Sequence, residues 1–196
     1  MRKTRAETKD HNRRALLAAA REVVARDGHR AKLDEIAAHA GLTTGAVYSL
    51  FGSKNDLFVA LVADQLGPHY DDLAVAIPAD LGLVDAVETF ARYYHRLCSD
   101  PGALGELTFE VSLQDLAVRD PELRARLAES VRAHEKRLGE LFAGRSSLSP
   151  ERAQRLAMAL RGLMVGLGLR AVLGLADTPV GQYVAAARAL VSADTV

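Results

Sequence analysis

Small and hydroxyl-bearing side chains are concentrated within residues 43–50, in the first quarter of the chain. Thr44, Gly45, Tyr48 and Ser49 share one side of a helix if the stretch is helical. Short polar side chains let a helix approach a partner closely while they donate or accept hydrogen bonds. The major groove of DNA admits one α-helix and presents donors and acceptors along its base edges. These residues therefore favour DNA reading.

Two short helices that meet at a tight turn are predicted to position this stretch. Gly41 falls where the first helix must stop, a place that usually needs a left-handed backbone. Either Thr43 or Thr44 is expected to cap the second helix. The spacing indicates a helix-turn-helix, although a structural helical hairpin in an all-α protein has the same pattern. The apolar residues at helical spacing are Leu33, Ile36, Ala37, Val47, Leu50 and Phe51.

The stretch IAAHAGLTTGAVYSLFGSKNDLF resembles the signature of TetR-type transcriptional regulators. The preceding LLAAAREVVARDG resembles the first helix of that family. The resemblance covers about the first third of the chain, with many identities at fixed spacing. It implies a helix-turn-helix DNA-binding domain over residues 1–56 and a helical effector-binding and dimerisation domain over residues 57–196.

The same resemblance implies roles for individual residues. Thr43 and Thr44 would start the recognition helix, and Thr44, Gly45 and Ser49 would lie nearest the base edges. Tyr48 would contact a phosphate or a thymine methyl group, and Lys54 would meet a phosphate. The full predicted DNA-binding set is Lys32, Thr43, Thr44, Gly45, Ala46, Tyr48, Ser49 and Lys54.

Some positions depart from the family pattern. Lys32 stands where a threonine usually caps the second helix, so a cap is weakened while a phosphate-seeking cation is gained. Leu50 replaces a common histidine or tyrosine, which removes one expected backbone contact. Ala46 and Ser49 also differ from the frequent residues. The DNA sequence that relatives read therefore does not transfer to this chain.

Composition and charge agree with an all-α DNA-binding protein. A hydrophobic content of 49% is typical of a foldable soluble protein. Aromatic residues make up only 5% of the chain, proline is scarce, and Ala, Leu, Arg and Glu are abundant, which favours helices over a β-sandwich. Residues 1–54 carry 11 Lys and Arg against 6 Asp and Glu, a net charge of +5, and residues 55–196 carry −5. The basic end of the chain is thus the predicted nucleic-acid end.

Apolar spacing predicts about nine helices. Residues 1–9 are expected to form a polar tail, with the first helix over residues 10–27. The fourth helix should start after Ser53 and break at Gly67 and Pro68. Three glycines inside the eighth helix suggest a close backbone approach to a neighbour. The family resemblance implies that the last two helices pair with their symmetry mates in a four-helix bundle. A homodimer is also expected because two DNA-reading helices about one helical turn apart multiply specificity.

No catalytic or metal-binding motif stands out, so neither an enzyme nor a cofactor is predicted. Cys98 is the single cysteine and is expected to be a buried hydrophobe, a use that fits a reducing compartment. The longest apolar region is interrupted by Arg161 and Arg170, which argues against a membrane span. With no signal peptide in view, the protein is expected to be cytoplasmic.

The family resemblance also implies a pocket for a small apolar or amphipathic effector, enclosed by the fourth to seventh helices and closed by the eighth. Each candidate lining residue is equally explained as ordinary core. The competing hypothesis for the whole chain is an all-helical enzyme or scaffold without DNA binding. The candidates are Phe90, Tyr94, Phe109, Val111, Leu113, His134, Met158, Arg161 and Met164.

Overall fold

The computed structural model describes residues 4–175 and 177–193, and nine α-helices make up most of this part of the chain. Two short 3-10 helices, Gly28–Arg30 and Arg145–Ser147, complete it. The predicted all-α fold and its nine helices are confirmed. The helices are α1 (Arg5–Asp27), α2 (Leu33–His39), α3 (Thr44–Phe51), α4 (Lys54–Ala76), α5 (Leu83–Cys98), α6 (Ala103–Arg119), α7 (Pro121–Phe142), α8 (Pro150–Val172) and α9 (Val180–Ala193).

Helix α1 begins earlier than predicted. The Thr4 hydroxyl accepts a hydrogen bond from the Glu7 backbone N–H at 3.2 Å, and the Glu7 carboxylate accepts from the Thr4 N–H at 2.7 Å. This reciprocal capping box satisfies two otherwise unpaired donors at the helix start. The expectation of a tail over residues 1–9 is therefore wrong from residue 5 onward, and residues 1–3 lie outside the described residues.

Helix α4 continues through Gly67 and Pro68, where a break was predicted. A proline inside a helix removes one hydrogen bond and costs about 3 kcal/mol. Beyond it, Tyr70, Leu73 and Ile77 are all at least nine-tenths buried. Each buried large apolar side chain stabilises the fold by roughly 1.5–3 kcal/mol, which together exceeds the cost of the proline.

The chain divides into two compact units with bounds that differ from the predicted ones. Unit 1 comprises Met1–Leu66 and Thr108–Ser130, and unit 2 comprises Gly67–Leu107 and Val131–Val196. Helices α4, α6 and α7 each begin in one unit and end in the other. The domain boundary near residue 56 stays a prediction. In the structure, residues 108–130 belong to the same compact unit as residues 1–66.

The core of unit 1 joins the first four helices to residues from the middle of the chain. Helices α1, α2 and α3 pack against one another. Their buried apolar side chains form one cluster with side chains from α4, α6 and α7. The cluster includes Leu16, Val23, Ile36, Val47, Leu57, Phe58, Leu61, Phe109, Leu116, Leu123 and Leu127.

Unit 2 is built on the packing of α5, α8 and α9 against each other. Gly168 of α8 allows the closest approach, because a Cβ atom there would lie 2.6 Å from the Cys98 sulfur and 3.2 Å from the Tyr94 ring. This confirms the predicted close contact for one of the three glycines. Gly162 and Gly166 are exposed, and nothing lies within 4 Å of their Cβ positions. Among the described residues, no helix has both the length and the apolar content needed to cross a lipid bilayer.

Candidate nucleic-acid interface

The turn between α2 and α3 has the geometry that the sequence predicts. Gly41 adopts φ +68°, and the Leu42 N–H donates to the Ala37 carbonyl at 2.9 Å, which closes the end of α2. Thr43 is the N-cap of α3, because its hydroxyl accepts from the Ala46 N–H at 3.3 Å. Residues 33–51 therefore form the predicted helix-turn-helix.

Helix α3 presents one apolar and one polar side. Val47 is fully buried, which anchors the helix to the core of unit 1. Gly45, Tyr48 and Ser49 are exposed, with Tyr48 at 55% exposure, and Thr44 is half-buried. The side predicted to read bases is thus open in this chain and is free to meet a partner.

Packing within the described part of the chain does not explain why residue 45 is a glycine. The nearest atom to a Cβ built at Gly45 is the Thr43 hydroxyl oxygen at 3.7 Å, an ordinary van der Waals contact. The backbone of α3 therefore does not require glycine here. Glycine weakens a helix by up to about 1 kcal/mol relative to alanine, and none of the described contacts of Gly45 offsets this cost.

The two predicted lysines lie at the starts of α2 and α4. Lys32 is exposed and forms no side-chain cap, in agreement with the weakened cap expected from the sequence. Lys54 donates from its ammonium group to the Ala31 carbonyl at 2.7 Å and lies 5.4 Å from the centre of the Phe58 ring. Burial lowers the pKa of Lys54, and the charge of Asp120 opposes that shift. A phosphate contact for either lysine stays a prediction.

The first turn of α4 is held by residues that the sequence did not single out. Asp56 accepts from the Ser53 hydroxyl at 2.5 Å and pairs with the Arg126 guanidinium. The Asn55 side chain donates to Asp120 at 3.3 Å. The partners are 65 and 70 residues apart, so no local pattern in the sequence predicts these contacts.

An arginine on α1 also contacts α3. The Arg13 guanidinium lies 4.7 Å from the centre of the Phe51 ring at the end of α3. A cation over an aromatic face is attracted by the ring quadrupole. Arg13 therefore helps to pack α1 against the end of α3.

The predicted effector residues are divided between the two units. Phe109 and Leu113 are buried in the core of unit 1, whereas Val111 on the same helix is 51% exposed. In unit 2, Phe90 and Met164 are buried, and Met158 is 53% exposed. The lining of an effector pocket by these residues stays a prediction.

The polar candidates in unit 2 have specific partners. The Tyr94 ring lies 6.3 Å from that of Phe90, and the His134 ring lies 5.3 Å from that of Tyr70. Arg161 pairs with Glu135 at 2.9 Å, and both side chains are largely buried. These contacts join the candidate side chains to other side chains of unit 2.

A polar group that the sequence did not predict lies elsewhere in unit 2. The Tyr93 hydroxyl donates to Asp72 at 3.3 Å and lies 3.1 Å from the His69 ring nitrogen. Burial and the Asp72 charge raise the pKa of Tyr93 to about 12. The tyrosine is therefore neutral at neutral pH, and its single O–H group is used by Asp72.

A cavity of about 700 Å³ lies between the loop before α5 and the end of α7. Arg145 lines this cavity, and its guanidinium donates to the backbone carbonyls of Ala79, Leu81 and Ile77. Its donors are thus used to join two loops. The cavity does not contain the predicted effector residues.

Helices α8 and α9 expose an apolar and small-residue surface. On α8 the exposed positions recur every three to four residues, which places them on one side of the helix. On α9 three exposed small residues lie four positions apart. The surface consists of Met158, Gly162, Val165, Gly166 and Leu169 on α8, Leu173 directly after its end, and Gly181, Ala185 and Ala189 on α9.

Two family models match the chain. Residues 16–61 match bacterial regulatory proteins of the tetR family, which covers the helix-turn-helix and its supporting helices. Residues 90–194 match the BetI-type transcriptional repressor C-terminal domain. These matches agree with the family resemblance of the helix-turn-helix stretch and extend it over most of the chain.

Curated relatives agree with the family models. The chain is 29% identical to the regulator BetI of Rhizobium meliloti over 161 residues, covering 81% of this chain and 76% of that protein. It is 28% identical to the activator FasR of Mycolicibacterium smegmatis over 164 residues, covering 80% and 70%. An alignment with the repressor BepR of Brucella suis is 32% identical but spans only 46% of this chain and 48% of that relative.

Solved structures share the fold. A member of the TetR family from Streptomyces coelicolor has a TM-score of 0.67 at 23% identity, covering 91% of this chain and 97% of that one. The fatty acid degradation regulator FadR from Bacillus halodurans has a TM-score of 0.66 at 18% identity, covering 97% and 96%. At these identities the comparison supports the architecture alone.

Proposed function

Because this chain belongs to the TetR family of DNA-binding transcriptional regulators, and not to a family of enzymes, we propose that it binds a palindromic operator as a homodimer. The observation that carries this proposal is the exposed polar side of α3, next to a buried Val47 that fixes the helix. Thr44, Gly45 and Ser49 face the base edges in this arrangement. The protein acts in the cytoplasm, where bacterial DNA is accessible.

The contacts of α3 explain why two copies are needed. A helix of eight residues, Thr44–Phe51, reaches only a few base edges. Two copies spaced by about one helical turn read two half-sites, so the preferred site repeats with the twofold symmetry of the dimer. Phosphate contacts from Lys32, Tyr48 and Lys54 add affinity that does not depend on sequence.

The apolar surface of α8 and α9 is the proposed dimer interface. Leu173 is 51% exposed and Met158 is 53% exposed, and the open positions of Gly162 and Gly166 allow close approach of another helix. Two helices from each subunit then form a four-helix bundle. An exposed apolar stripe of this length is typical of an association surface.

Val165→Arg tests this interface, because Val165 is 36% exposed and a guanidinium there stays in water in the monomer. We expect a folded monomer in analytical ultracentrifugation and a loss of operator binding. Ala133→Arg, which adds the same group at an exposed position of α7, is the matched control and keeps the dimer. If Val165→Arg is still a dimer in analytical ultracentrifugation, the proposed interface is contradicted.

We further propose that the protein represses transcription and that a small apolar or amphipathic ligand releases it from DNA. The match of residues 90–194 to a repressor-type C-terminal domain supports repression, and the relative FasR shows that activators have similar sequences. The ligand acts by selecting a spacing of the two α3 helices that no longer fits consecutive grooves. Unchanged operator affinity at fixed salt, in the presence of a compound shown to bind by thermal shift, contradicts this mechanism.

Selection of bound sites from random duplexes tests DNA binding itself. We expect the recovered sequences to converge on a palindrome whose half-sites lie about one helical turn apart. The logarithm of the association constant for that duplex should fall linearly with the logarithm of the salt concentration. A selection that recovers no common sequence, with no salt-dependent duplex binding, contradicts the proposed function.

A further inference from the structure

The first turn of α4 directly determines where α3 lies. Only Gly52 and Ser53 separate the end of α3 at Phe51 from the start of α4 at Lys54. Gly52 adopts φ +90°, and its Cβ position would lie 3.3 Å from a carboxylate oxygen of Asp56. So short a connection leaves little freedom, and a displacement of the first turn of α4 therefore displaces α3.

Asp56 links this turn to α7. The Ser53 hydroxyl accepts from the Asp56 N–H at 3.0 Å and donates to one Asp56 oxygen at 2.5 Å. The other carboxylate oxygen pairs with the Arg126 guanidinium. These two partners hold the pKa of Asp56 below its usual value, so the carboxylate is charged at neutral pH.

Asp120 provides a second link, through Asn55, the residue next to Asp56 in α4. One oxygen accepts from the backbone N–H groups of Glu122 and Leu123 at 2.9 and 3.0 Å, which fixes the start of α7. The other accepts from the Asn55 side chain at 3.3 Å. Consecutive residues of α4 are thus joined to two side chains at the beginning of α7.

The polar links rest on a shared apolar core. Leu116, Leu123 and Leu127 are at least nine-tenths buried in the same cluster as Leu57 and Phe58. The corner between α6 and α7 is therefore packed against α4 as well as hydrogen-bonded to it. Such a packed corner resists displacement, which makes it a suitable support for the reading helix.

We propose that Arg126 and Asp120 are positioning residues for DNA reading, which hold the first turn of α4 and thereby keep α3 in its groove-reading orientation. This inference rests on the proposed DNA binding. Both residues act through α4 and do not touch DNA themselves. Loss of the Arg126 contact lowers the fraction of molecules with α3 correctly placed, and the apparent dissociation constant rises by the inverse of that fraction.

The probe is the duplex recovered by selection with the wild-type protein, and the measured quantity is its dissociation constant at several salt concentrations. The Arg126 and Asp56 side chains are 32% and 37% exposed, so we expect Arg126→Ala to raise the dissociation constant roughly twofold to fivefold. Because no phosphate contact is lost, the salt slope stays unchanged. Arg126→Lys restores most of the affinity.

Two further variants separate positioning from a general loss of charge. Arg124→Ala removes an exposed arginine of the same helix for which no side-chain contact is described, and it leaves the affinity unchanged. Asp56→Asn weakens binding by itself, and Arg126→Ala adds nothing in that background, because the two residues act through one contact. Thermal unfolding of each variant confirms that it is folded, and Arg126→Gln, which removes the charge but keeps a long side chain, replaces Arg126→Ala if that variant is not folded.

Three results overturn the inference. Unchanged affinity of Arg126→Ala shows that the pair does not position α3. A salt slope lower by about one shows that Arg126 binds a phosphate instead. An equal effect of Arg126→Ala with and without Asp56→Asn shows that it acts elsewhere. If the wild-type protein recovers no duplex, DNA binding itself fails, a result distinct from wild-type binding that Arg126→Ala leaves intact.

Discussion

The Lys54 ammonium group donates a 2.7 Å hydrogen bond to the Ala31 carbonyl, so the first turn of α4 is joined to the residue that precedes Lys32. An ammonium group has three N–H donors. One of them is used by Ala31, and the remaining two are available to a phosphate oxygen. The lysine is therefore suited both to hold the start of α4 and to contact the DNA backbone.

Lys54→Ala should reduce both stability and DNA affinity. Loss of the hydrogen bond to Ala31 lowers the free energy of unfolding by about 1 kcal/mol. Loss of the phosphate contact weakens binding to all duplexes alike and lowers the salt slope by about one. Urea denaturation and salt-dependent titration measure the two effects. A loss of stability with an unchanged slope would assign the lysine a structural role alone.

Gly45→Ala should move stability and DNA binding in opposite directions. The protein leaves room for a Cβ atom at this position, with its nearest neighbour at 3.7 Å. Alanine in a helix is more favourable than glycine, so the free energy of unfolding rises by up to about 1 kcal/mol. The added methyl group meets the groove, and operator affinity falls. Equal or tighter DNA binding would show that Gly45 does not lie against the duplex.

Asp120 should contribute stability only when it is charged. The Leu123 N–H and the Asn55 amide hold its pKa below the ordinary value of 3.8. A carboxylate with a lowered folded-state pKa stabilises the fold above the unfolded pKa, and this stabilisation is lost as pH falls through the folded pKa. The difference in urea midpoint between wild type and Asp120→Asn is thus largest above about pH 4 and shrinks below it. A difference that is constant with pH would mean that charge is not its cause.

Gly168→Ala should destabilise unit 2. A Cβ atom there would lie 2.6 Å from the Cys98 sulfur, so a neighbour must shift, and overpacking of this kind costs about 1–3 kcal/mol. Combining it with Cys98→Ala removes the sulfur and recovers part of the loss. Gly105→Ala, where nothing lies within 4 Å of the Cβ position, is the control. Thermal denaturation compares the variants, and full stability of Gly168→Ala would contradict the close packing.

The helix-turn-helix was predictable because its signals are local. Gly41, the Thr43 cap and the apolar spacing of Val47 all lie within a few residues of the elements that they define. The start of α1 had an equally local signal, a threonine followed three residues later by glutamate, which the prediction overlooked. Tyr70, Leu73 and Ile77 likewise continue the helical spacing past Pro68, and their burial, which the sequence does not report, outweighs the cost of the proline.

The contacts that hold the first turn of α4 were not predictable from local patterns in the sequence. Asp56 meets Arg126, and Asn55 meets Asp120, only because α7 folds back against the start of α4. No spacing in the sequence reports a contact between side chains that far apart. Lys54 shows a related limit, since its charge predicted a phosphate contact while its bond to Ala31 depends on the folded backbone.

Selection of duplexes with Ser49→Ala, compared with wild type, tests the central claim most directly. If the polar side of α3 enters the groove, losing the Ser49 hydroxyl changes the base preference, by about 1–3 kcal/mol, at one position in each half-site. The change should be symmetric, because both subunits carry it. Lys54→Ala should leave the recovered sequence unchanged while weakening binding. If Ser49→Ala and Thr44→Ala each recover the same sequence as the wild-type protein, base reading by α3 is contradicted.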